Sequence, residues 1–385
     1  MSYPLEGLRV LDMSRVLAGP FAGRMLCDLG ADVVKVEPPE GDVTRLWGTD
    51  VNGLRGYFHQ QNVGKRAVCV DLRQAEAGRL ITELAGQADV LIENFRPGVM
   101  ERLGIGYPVL SASNSALVML SISGFGQDSP EAGRAAYAPI IHAESGMVAR
   151  QARKSRSALT DLAVSVADTN ASLHGLVALL SALLMRERTG VGQHIDIAMI
   201  DSMLVTDDGL HYALEGSEHT KMMSGEVWET VAGPVMIAGD LRYLWKQLTT
   251  ICGVTDPTPE GASLDEKIAA RRAATEQFFN SLPDRAAFID AVAAMNLAWG
   301  DVRSSADIGE QPTVRHRETL TQVDDRSGGR RSVVQSPYRF SAAESGVRGG
   351  APRQGEHNAE VLKDWLGVDQ AQIETWVDER VLIQE

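Results

Sequence analysis

The chain has 385 residues, 44% hydrophobic and 23% charged, which is typical of a folded protein with a core large enough for two domains. Its 37 basic and 51 acidic side chains give a net charge of −14, which excludes nucleic acid and anionic membrane as partners because both repel it. Three widely spaced cysteines, Cys27, Cys69 and Cys252, form neither a disulfide framework nor a C-x-x-C metal site and favour a reducing compartment.

Neither a secretory signal nor a membrane span is predicted. The N-terminal residues lack the basic, apolar and small-residue order of a signal peptide. The longest apolar stretch, Leu173 to Met185, is interrupted by polar residues and is too short to cross a bilayer, so it predicts a buried helix. We therefore expect a cytoplasmic protein with no membrane partner.

The first forty residues predict a strand, a loop, a helix and a second strand. An apolar run covers Leu8 to Met13, small residues follow from Ala18 to Gly23, and a second apolar run ends at Glu37. This is the outline of a dinucleotide-binding unit. The loop Ser14 to Gly19, however, lacks the G-x-G-x-x-G pattern that lets backbone approach a pyrophosphate. We expect a ligand at this strand end, but not NAD.

Strand-type and helical runs then alternate as far as about Ile200, which predicts an α/β fold with a mostly parallel sheet covered by helices. The runs are Val68 to Leu72, Ala75 to Ala85, Asp89 to Glu93, Leu117 to Ser123 and the helix Asn170 to Arg188. A polar stretch near Gly216 to Gly225 separates a large domain, residues 1–215, from a smaller α+β domain, residues 225–315. Residues 316–385 are predicted to return to the large domain as a hairpin, Gln322 to Ser341, and closing helices, Glu360 to Glu385.

One acid stands where an apolar run meets a long helix. Asp168 follows Ala163 to Ala167 and precedes the predicted helix. A carboxylate there is stabilised in its ionised form by the helix N-terminus and can act as a nucleophile toward an activated acyl group. The alternative interpretation is simple capping, because Asp, Thr and Asn are all favoured at helix starts. His174, six residues on, lies on another face of the helix, so no triad is predicted.

Several basic residues follow predicted strands and together resemble an anion cradle. The segment Asn94-Phe95-Arg96-Pro97-Gly98 with Arg102 offers two guanidinium groups for phosphates and an aromatic ring for a base. Arg73 follows another strand end. The alternative is a set of solvated surface charges. His194 and Asp196 alternate with apolar residues as a strand would, so we predict no metal site.

Taken together, these motifs resemble those of the class III CoA-transferases, the family of formyl-CoA:oxalate and carnitine CoA-transferases that also contains the 2-methylacyl-CoA racemases. The resemblance runs from about Pro4 to Asp201 and returns weakly between Val314 and Ser341. It is carried by five ordered segments: Pro4 to Leu11, Leu29 to Glu37, Ala88 to Gly98, the Asp168 segment, and Arg188 to Gln193.

The resemblance implies a Rossmann-like large domain, a smaller domain and a homodimer of interlocked rings. It implies a CoA-transferase that moves CoA from an acyl-CoA donor to a carboxylic acid acceptor, with Asp168 as covalent nucleophile. The CoA thioester is then a substrate, and no permanently bound cofactor and no metal are expected. The CoA-binding positions implied by the family motifs are Leu17, Ala18, Leu72, Arg73, Asn94, Phe95, Arg96, Arg102 and Tyr137.

Three departures distinguish the chain from the formyl-CoA:oxalate enzymes. Leu17, Pro38 and Ala135 stand where those enzymes have a glutamine, an arginine and a lysine, which argues against oxalate as acceptor. Their glycine-rich active-site loop has no clear match around Val231 to Gly239. The acids themselves are not identified by the sequence, although Trp228, Met236 and Tyr243 of the smaller domain are candidates for an acceptor pocket.

Two other functions remain open at this stage. A 2-methylacyl-CoA racemase or epimerase of the same fold needs a histidine, which would map near Tyr137, and His142 is five positions away. A non-catalytic CoA-binding protein would share the fold without the chemistry. Trapping of an acyl adduct and solvent deuterium exchange distinguish these possibilities.

Overall fold

A computed structural model describes residues 2–217 and 225–383 of the chain. The chain forms two compact units, one of residues 1–208 and 315–385 and the other of residues 209–314. The sequence expectation put the first boundary a few residues later, at 215–225. Most of that polar stretch, residues 218–224, lies outside the described residues, as do the last two residues of the predicted closing helices.

The large unit begins as an alternation of strands and helices. A 3₁₀ turn, Val43–Leu46, lies between its second and third strands. The elements in chain order are β1 (Arg9–Asp12), α1 (Ala18–Asp28), β2 (Asp32–Glu37), β3 (Asp50–Val51), β4 (Leu54–Arg55), α2 (Gly56–Asn62), β5 (Arg66–Cys69), α3 (Ala77–Gly86), β6 (Val90–Glu93), α4 (Val99–Arg102), α5 (Tyr107–Ser113), β7 (Val118–Ser123), α6 (Ala138–Glu144), α7 (Met147–Ser155), α8 (Val166–Thr189), β8 (His194–Ala198) and α9 (Met199–Thr206).

Six of these strands form one parallel sheet in the order β5-β2-β1-β6-β7-β8. The predicted α/β class with a parallel central sheet is therefore confirmed. If these six strands are numbered by their order along the chain, their order in the sheet is 3-2-1-4-5-6. The chain runs from β1 toward one edge of the sheet and then returns to β6, on the opposite side of β1. Ligands of such sheets bind where the order reverses, outside the carboxyl ends of the strands.

Helices cover both faces of this sheet because its strands are apolar on both sides. On one face α3, α5 and the C-terminal helices pack in a cluster that includes Leu80, Leu110 and Trp365. On the other face α1, α6, α8 and α9 pack in a second cluster that includes Leu26 and Leu179. Near-continuous runs of Val, Ile and Leu are typical of parallel strands that are buried on both sides.

The smaller unit is α+β. It contains α10 (Leu210–Leu214), β9 (Gly225–Thr230), β10 (Gly233–Ala238), α11 (Leu241–Ile251), α12 (Leu264–Ser281), α13 (Arg285–Ala294), β11 (Trp299–Asp301) and a 3₁₀ turn, Ser305–Glu310, before α14 (Pro312–His316) at its end. The three strands form an antiparallel sheet in the order β11-β10-β9. Trp228 and Phe279 lie in its core, whereas Met236 and Tyr243 are exposed.

The chain then returns to the large unit through a hairpin and two helices. These are β12 (Leu320–Asp324), β13 (Arg330–Val334), α15 (Asn358–Leu366) and α16 (Gln370–Asp378). The hairpin strands pair antiparallel around Gly328. Leu382 forms a β-bridge with Val70, and Trp376 is buried in the core of the large unit. Residues more than 300 positions from β1 therefore complete the fold around it.

Helix α8 is the longest helix among the described residues. By length and composition alone it could cross a membrane. Half of its apolar stretch is buried within the protein, however, and the core helix of a folded domain has the same length and composition. The helix begins at Val166, earlier than the sequence predicts. The face that does not pack on the core exposes Leu173, Val177, Leu180 and Leu184.

Candidate active site

A cavity of about 500 Å³ opens at the carboxyl ends of the parallel strands in the large unit. Residues that follow each of the six strands line it, as expected where the strand order reverses. The lining residues used below are Met13, Arg15, Ala18, Pro38, Leu72, Asn94, Phe95, Arg96, Ser123, Arg134, Tyr137, Asp168 and Met199. Segments that are distant in sequence are thus brought to one site.

The loop between β1 and α1 has an unusual backbone. Val16 adopts a φ of 68°, in the left-handed region that β-branched residues rarely occupy. Its N–H donates to Asp42 Oδ2 at 3.1 Å. Next to it, the Arg15 N–H donates to Asn94 Oδ1 at 2.7 Å, and Asn94 Nδ2 donates to the Arg15 carbonyl at 2.8 Å. The loops after β1 and β6 are therefore fixed to each other at the mouth of the cavity.

Buried ion pairs lie beneath this loop. Lys65 Nζ lies 2.7 Å from Asp12 Oδ2, and Lys35 Nζ lies 3.2 Å from Asp42 Oδ2, with all four side chains almost wholly inaccessible to solvent. Lys35 also donates to the Ser14 carbonyl at 2.8 Å. Burial opposes charge on Asp42, but Lys35 and hydrogen bonds from Thr44 outweigh it and lower the pKa of Asp42 to about 2. These charges hold the loop in place.

Asp168 lies in the first turn of α8, with its side chain in the cavity wall. Ser165 is the N-cap residue, so Asp168 is not the cap of this helix. Burial raises the pKa of Asp168 to about 6, although hydrogen bonds from the Ala18 and Ala138 backbone N–H groups lower it in part. The carboxylate is therefore ionised at neutral pH, poorly hydrated and close to two backbone donors.

The structure brings most of the sequence-predicted site residues to this cavity. Ala18, Leu72, Asn94, Phe95, Arg96 and Tyr137 line it together with Asp168. Leu17 does not line it, because it is buried as the residue before α1. Arg102 is exposed on the short helix α4 and does not line the cavity, although Val99 and Leu103 beside it do.

Arg73 also lies off the cavity lining, and its charge is already compensated. Its guanidinium binds both carboxylate oxygens of Asp71, at 2.7 and 3.1 Å, and lies 3.0 Å from Glu40. Arg96 and Arg102, by contrast, have no ion pair within residues 2–217 and 225–383. The two groups of arginines therefore differ in their capacity to accept a new anion.

Sequence reasoning missed two residues. Tyr57 does not line the cavity, but burial and the charges of Asp168 and Asp42 raise its pKa to about 12, so its phenol stays protonated. Arg134 lines the cavity but is held by Glu131 at 2.6 Å and Glu144 at 2.5 Å. Neither residue follows a predicted strand, and no periodic pattern in the sequence marks them.

His194 and Asp196 have structural partners. His194 Nε2 lies 2.8 Å from Ser121 Oγ, and its ring stacks on Tyr107. Asp196 accepts a hydrogen bond from the Gln127 N–H at 2.8 Å. Over the part of the chain that the structure describes, no group of three or more His, Cys, Asp or Glu side chains is arranged to hold a metal ion.

Comparison with known proteins identifies the family. The model of CoA-transferase family III matches residues 5–358. The chain is 33% identical to the succinyl-CoA:mesaconate CoA-transferase of Haloarcula hispanica over 94% of this chain and 96% of that protein. It is 32% identical to the acetyl-CoA:oxalate CoA-transferase of Acetobacter aceti over 94% and 96% of the two chains.

The solved structures agree. A CaiB/BaiF family protein from Brucella suis superimposes with a TM-score of 0.81 at 32% identity, covering 95% of this chain and 100% of that one. The chain therefore belongs to CoA-transferase family III. The predicted family and the predicted class of enzyme, a CoA-transferase, are both confirmed.

Proposed function

We propose that this enzyme transfers CoA from an acyl-CoA to a carboxylic acid through a covalent intermediate on Asp168. The observation that carries the proposal is a buried carboxylate in the wall of the cavity at the strand ends, with backbone N–H groups beside it. A poorly hydrated carboxylate is a stronger nucleophile than one in water, and preorganised donors favour the negative charge that develops during acyl transfer.

The reaction balances without a metal or an external base. An Asp168 oxygen attacks the thioester carbonyl, the C–S bond breaks, and CoA leaves as a thiolate with a mixed anhydride on the enzyme. The thiolate attacks the aspartyl carbonyl, releasing the first acid and leaving an aspartyl-CoA thioester. The second acid attacks this thioester to form a new anhydride, and the returning thiolate attacks its acyl carbon, which frees Asp168.

Binding of the CoA part is assigned to the residues implied by the family motifs. Phe95 and Arg96 lie on the cavity wall after β6, where a ring can stack on adenine and an unpaired guanidinium can bind phosphate. Backbone around Ala18 lies near Asp168, which suits the pantetheine end. Leu17, Arg73 and Arg102 complete the proposed set from outside the cavity lining.

The acids are proposed to be dicarboxylic. The named substrates of the relatives are succinyl-CoA with mesaconate in Haloarcula hispanica and succinate with glutarate in an Agrobacterium fabrum enzyme that is 30% identical to this chain. Arg15 lines the same cavity, is exposed, and has no ion pair among the described residues. Its guanidinium offers a counter-charge for a second carboxylate.

A homodimer is proposed as the working form, assembled as interlocked rings in the cytoplasm. The exposed apolar side chains of α8 at positions 173, 177, 180 and 184 share one helix face, and a second copy of this chain would cover them. Sedimentation should give a dimer. Tagged and untagged dimers mixed under native conditions should not exchange subunits if the rings are interlocked, and rapid exchange would contradict that arrangement.

A racemase is the less favoured alternative. His142, the histidine nearest Tyr137 in sequence, is buried and does not line the cavity, and both of its ring nitrogens are engaged within the protein. Deuterium from solvent should therefore not enter the 2-position of 2-methylacyl-CoA. Incorporation at a rate comparable to turnover would favour the racemase instead.

The covalent step is tested by trapping. The enzyme is incubated with succinyl-CoA, quenched with hydroxylamine or borohydride, digested and examined by mass spectrometry. We expect a hydroxamate or the corresponding alcohol at Asp168. The absence of any adduct, together with full turnover by Asp168→Ala, would overturn the mechanism, and a protein with no turnover at all would be a non-catalytic CoA-binding protein.

The matched control is Asp265→Ala. Asp265 is also an aspartate in the first turn of a helix, α12, but it is exposed in the smaller unit. This variant should keep both the adduct and the rate. A panel of mono- and dicarboxylates, read as new thioesters, then identifies the acceptor.

A further inference from the structure

His142 lies on α6, and its buried ring lies beside the start of α8. The Ala167 N–H donates to Nε2 at 3.2 Å, and Nδ1 lies 2.8 Å from Asp161 Oδ1. Because Nε2 accepts a hydrogen from the backbone, that nitrogen carries no proton. The ring proton therefore lies on Nδ1 and is donated to Asp161, which fixes both the tautomer and the orientation of the ring.

This contact supplies an acceptor that the N-cap side chain of helix α8 does not provide. The first N–H groups of a helix have no partner within it, and side-chain oxygens usually accept them. Ser165, the N-cap residue of α8, makes no such hydrogen bond. His142 instead supplies the acceptor from a different helix, and it does so at Ala167, the residue immediately before Asp168.

A second contact holds the same turn from the other side. Ser172 Oγ contacts the Asp168 carbonyl at 2.8 Å and also the carbonyl of Ala18, the first residue of α1. The turn that carries the carboxylate is thus fixed to α6 through His142 and to α1 through Ser172. The backbone donors near the carboxylate, Ala18 and Ala138, lie on these same two helices.

We propose that His142, oriented by Asp161, is a positioning residue for Asp168 and takes no part in proton transfer. The inference rests on the proposed role of Asp168 as nucleophile. By accepting the Ala167 N–H, the ring keeps the first turn of α8 in register with the backbone donors at Ala18 and Ala138. A displacement of about 1 Å in a reacting group can cost on the order of 100-fold in rate.

Two substitutions separate positioning from proton transfer. His142→Leu removes the acceptor at similar volume, and we expect kcat to fall by about 10- to 100-fold while KM for the acyl-CoA changes by less than about threefold. His142→Gln offers a carbonyl oxygen as acceptor but cannot act as a base, and should recover kcat to within about fivefold of wild type. A Gln variant as slow as the Leu variant, or a Leu variant as fast as wild type, would overturn the proposal.

Two further variants test the Asp161 carboxylate, which orients the His142 ring. Asp161→Asn keeps an oxygen that can accept the Nδ1 proton and should stay within about threefold of wild type, whereas Asp161→Ala should lower kcat by about tenfold. Equal rates for the Asn and Ala variants would remove Asp161 from the proposal. Circular dichroism and active-site trapping count the folded enzyme in each sample, so that a loss of protein is not read as a loss of rate.

Hydrogen exchange tests the cap without relying on catalysis. The Ala167 amide should be protected in the wild type and in His142→Gln, and should exchange at least about tenfold faster in His142→Leu. If the wild type neither transfers CoA nor forms an adduct, the proposed function fails, while faster exchange in the Leu variant still supports the cap. Unchanged exchange would overturn the cap whatever the enzyme activity.

Discussion

Charged residues below the cavity differ from those at its rim in burial and in ion pairing. Below it, Lys35 and Lys65 are buried and paired with Asp42 and Asp12. At the rim, Arg15 and Arg96 are exposed and have no ion pair among the described residues. A buried charge must be matched by the protein, whereas an exposed and unmatched one is available to an anionic ligand. The lower charges therefore hold the loops of the cavity in place, and those of the rim stay accessible from solvent.

The largest expected effect comes from Asp168, which belongs to neither group because it is buried and has no ion pair within the part of the chain that the structure describes. Asp168→Asn should lower kcat at least about 1000-fold, since the proposed nucleophile is lost. The wild-type rate should also fall as the pH drops through about 6, where the carboxylate becomes protonated. A rate that is independent of pH between 5 and 8 would contradict the role of the carboxylate.

The same substitution should make the protein more stable at neutral pH. A folded-state pKa of about 6 against an ordinary value of 3.8 for an aspartate means that ionisation opposes folding. This cost, on the order of 3 kcal/mol, is fully present above the folded pKa, diminishes as the pH falls, and is absent below about 3.8. Urea unfolding of both proteins at pH 7.5 and 4 should show the difference shrinking, and equal stabilities at pH 7.5 would contradict it.

Breaking the buried pairing is expected to have the next largest effect. Lys65 Nζ donates to Asp12, the Pro20 carbonyl and Asn62 at 2.7–2.9 Å. Lys65→Met removes the cation that is hydrogen-bonded to the buried Asp12 carboxylate, so it should lower the free energy of unfolding by about 3–5 kcal/mol. The double variant with Asp12→Asn should lose less than the sum of the single variants. Additive losses would mean that the two residues act independently.

At the rim the expected effect is on binding rather than stability. Arg96→Gln should raise KM for the acyl-CoA by about tenfold or more, because a hydrogen bond between charged groups contributes about 1.5–3 kcal/mol. Arg73→Gln should raise it less, since Asp71 and Glu40 already hold that guanidinium. Arg242→Gln, exposed in the smaller unit, is the control. A larger rise in KM for Arg73→Gln than for Arg96→Gln would contradict the proposal that Arg96 binds the acyl-CoA more strongly than Arg73 does.

The smallest expected effects are on stability, and they differ between two serines of β7. Ser121 Oγ has His194 as a partner, whereas the buried Ser123 Oγ has none in the described part of the chain. Ser121→Ala should cost about 1 kcal/mol of stability, and Ser123→Ala should cost nothing or be stabilising, because a buried hydroxyl without a partner is itself unfavourable. Thermal unfolding of the pair measures this, and equal losses would contradict it.

The sequence predicted what depends on local pattern. The apolar runs gave the parallel strands, and the acid at the start of the long helix pointed to Asp168. Most of the predicted ligand positions, such as Ala18 and Asn94, lie on the cavity because strand ends meet at one edge of a parallel sheet.

What the sequence could not predict depends on pairing between distant residues. Asp12 and Lys65 are 53 positions apart, and nothing local shows that each is buried against the other. The family resemblance implies that Arg73 contacts CoA, but its partners Asp71 and Glu40 become visible only in the fold. The sequence offers His142 only as a poorly placed base, because its contact with Ala167 joins two helices and appears only in the fold.

The return of the C-terminal segment has a consequence for synthesis in the cell. Trp365 and Trp376 fill the core of the large unit, and Leu382 pairs with Val70. Until the chain up to Leu382 has left the ribosome, the parallel sheet lacks this cover. Up to that point the nascent chain carries an open apolar surface that chaperones can recognise.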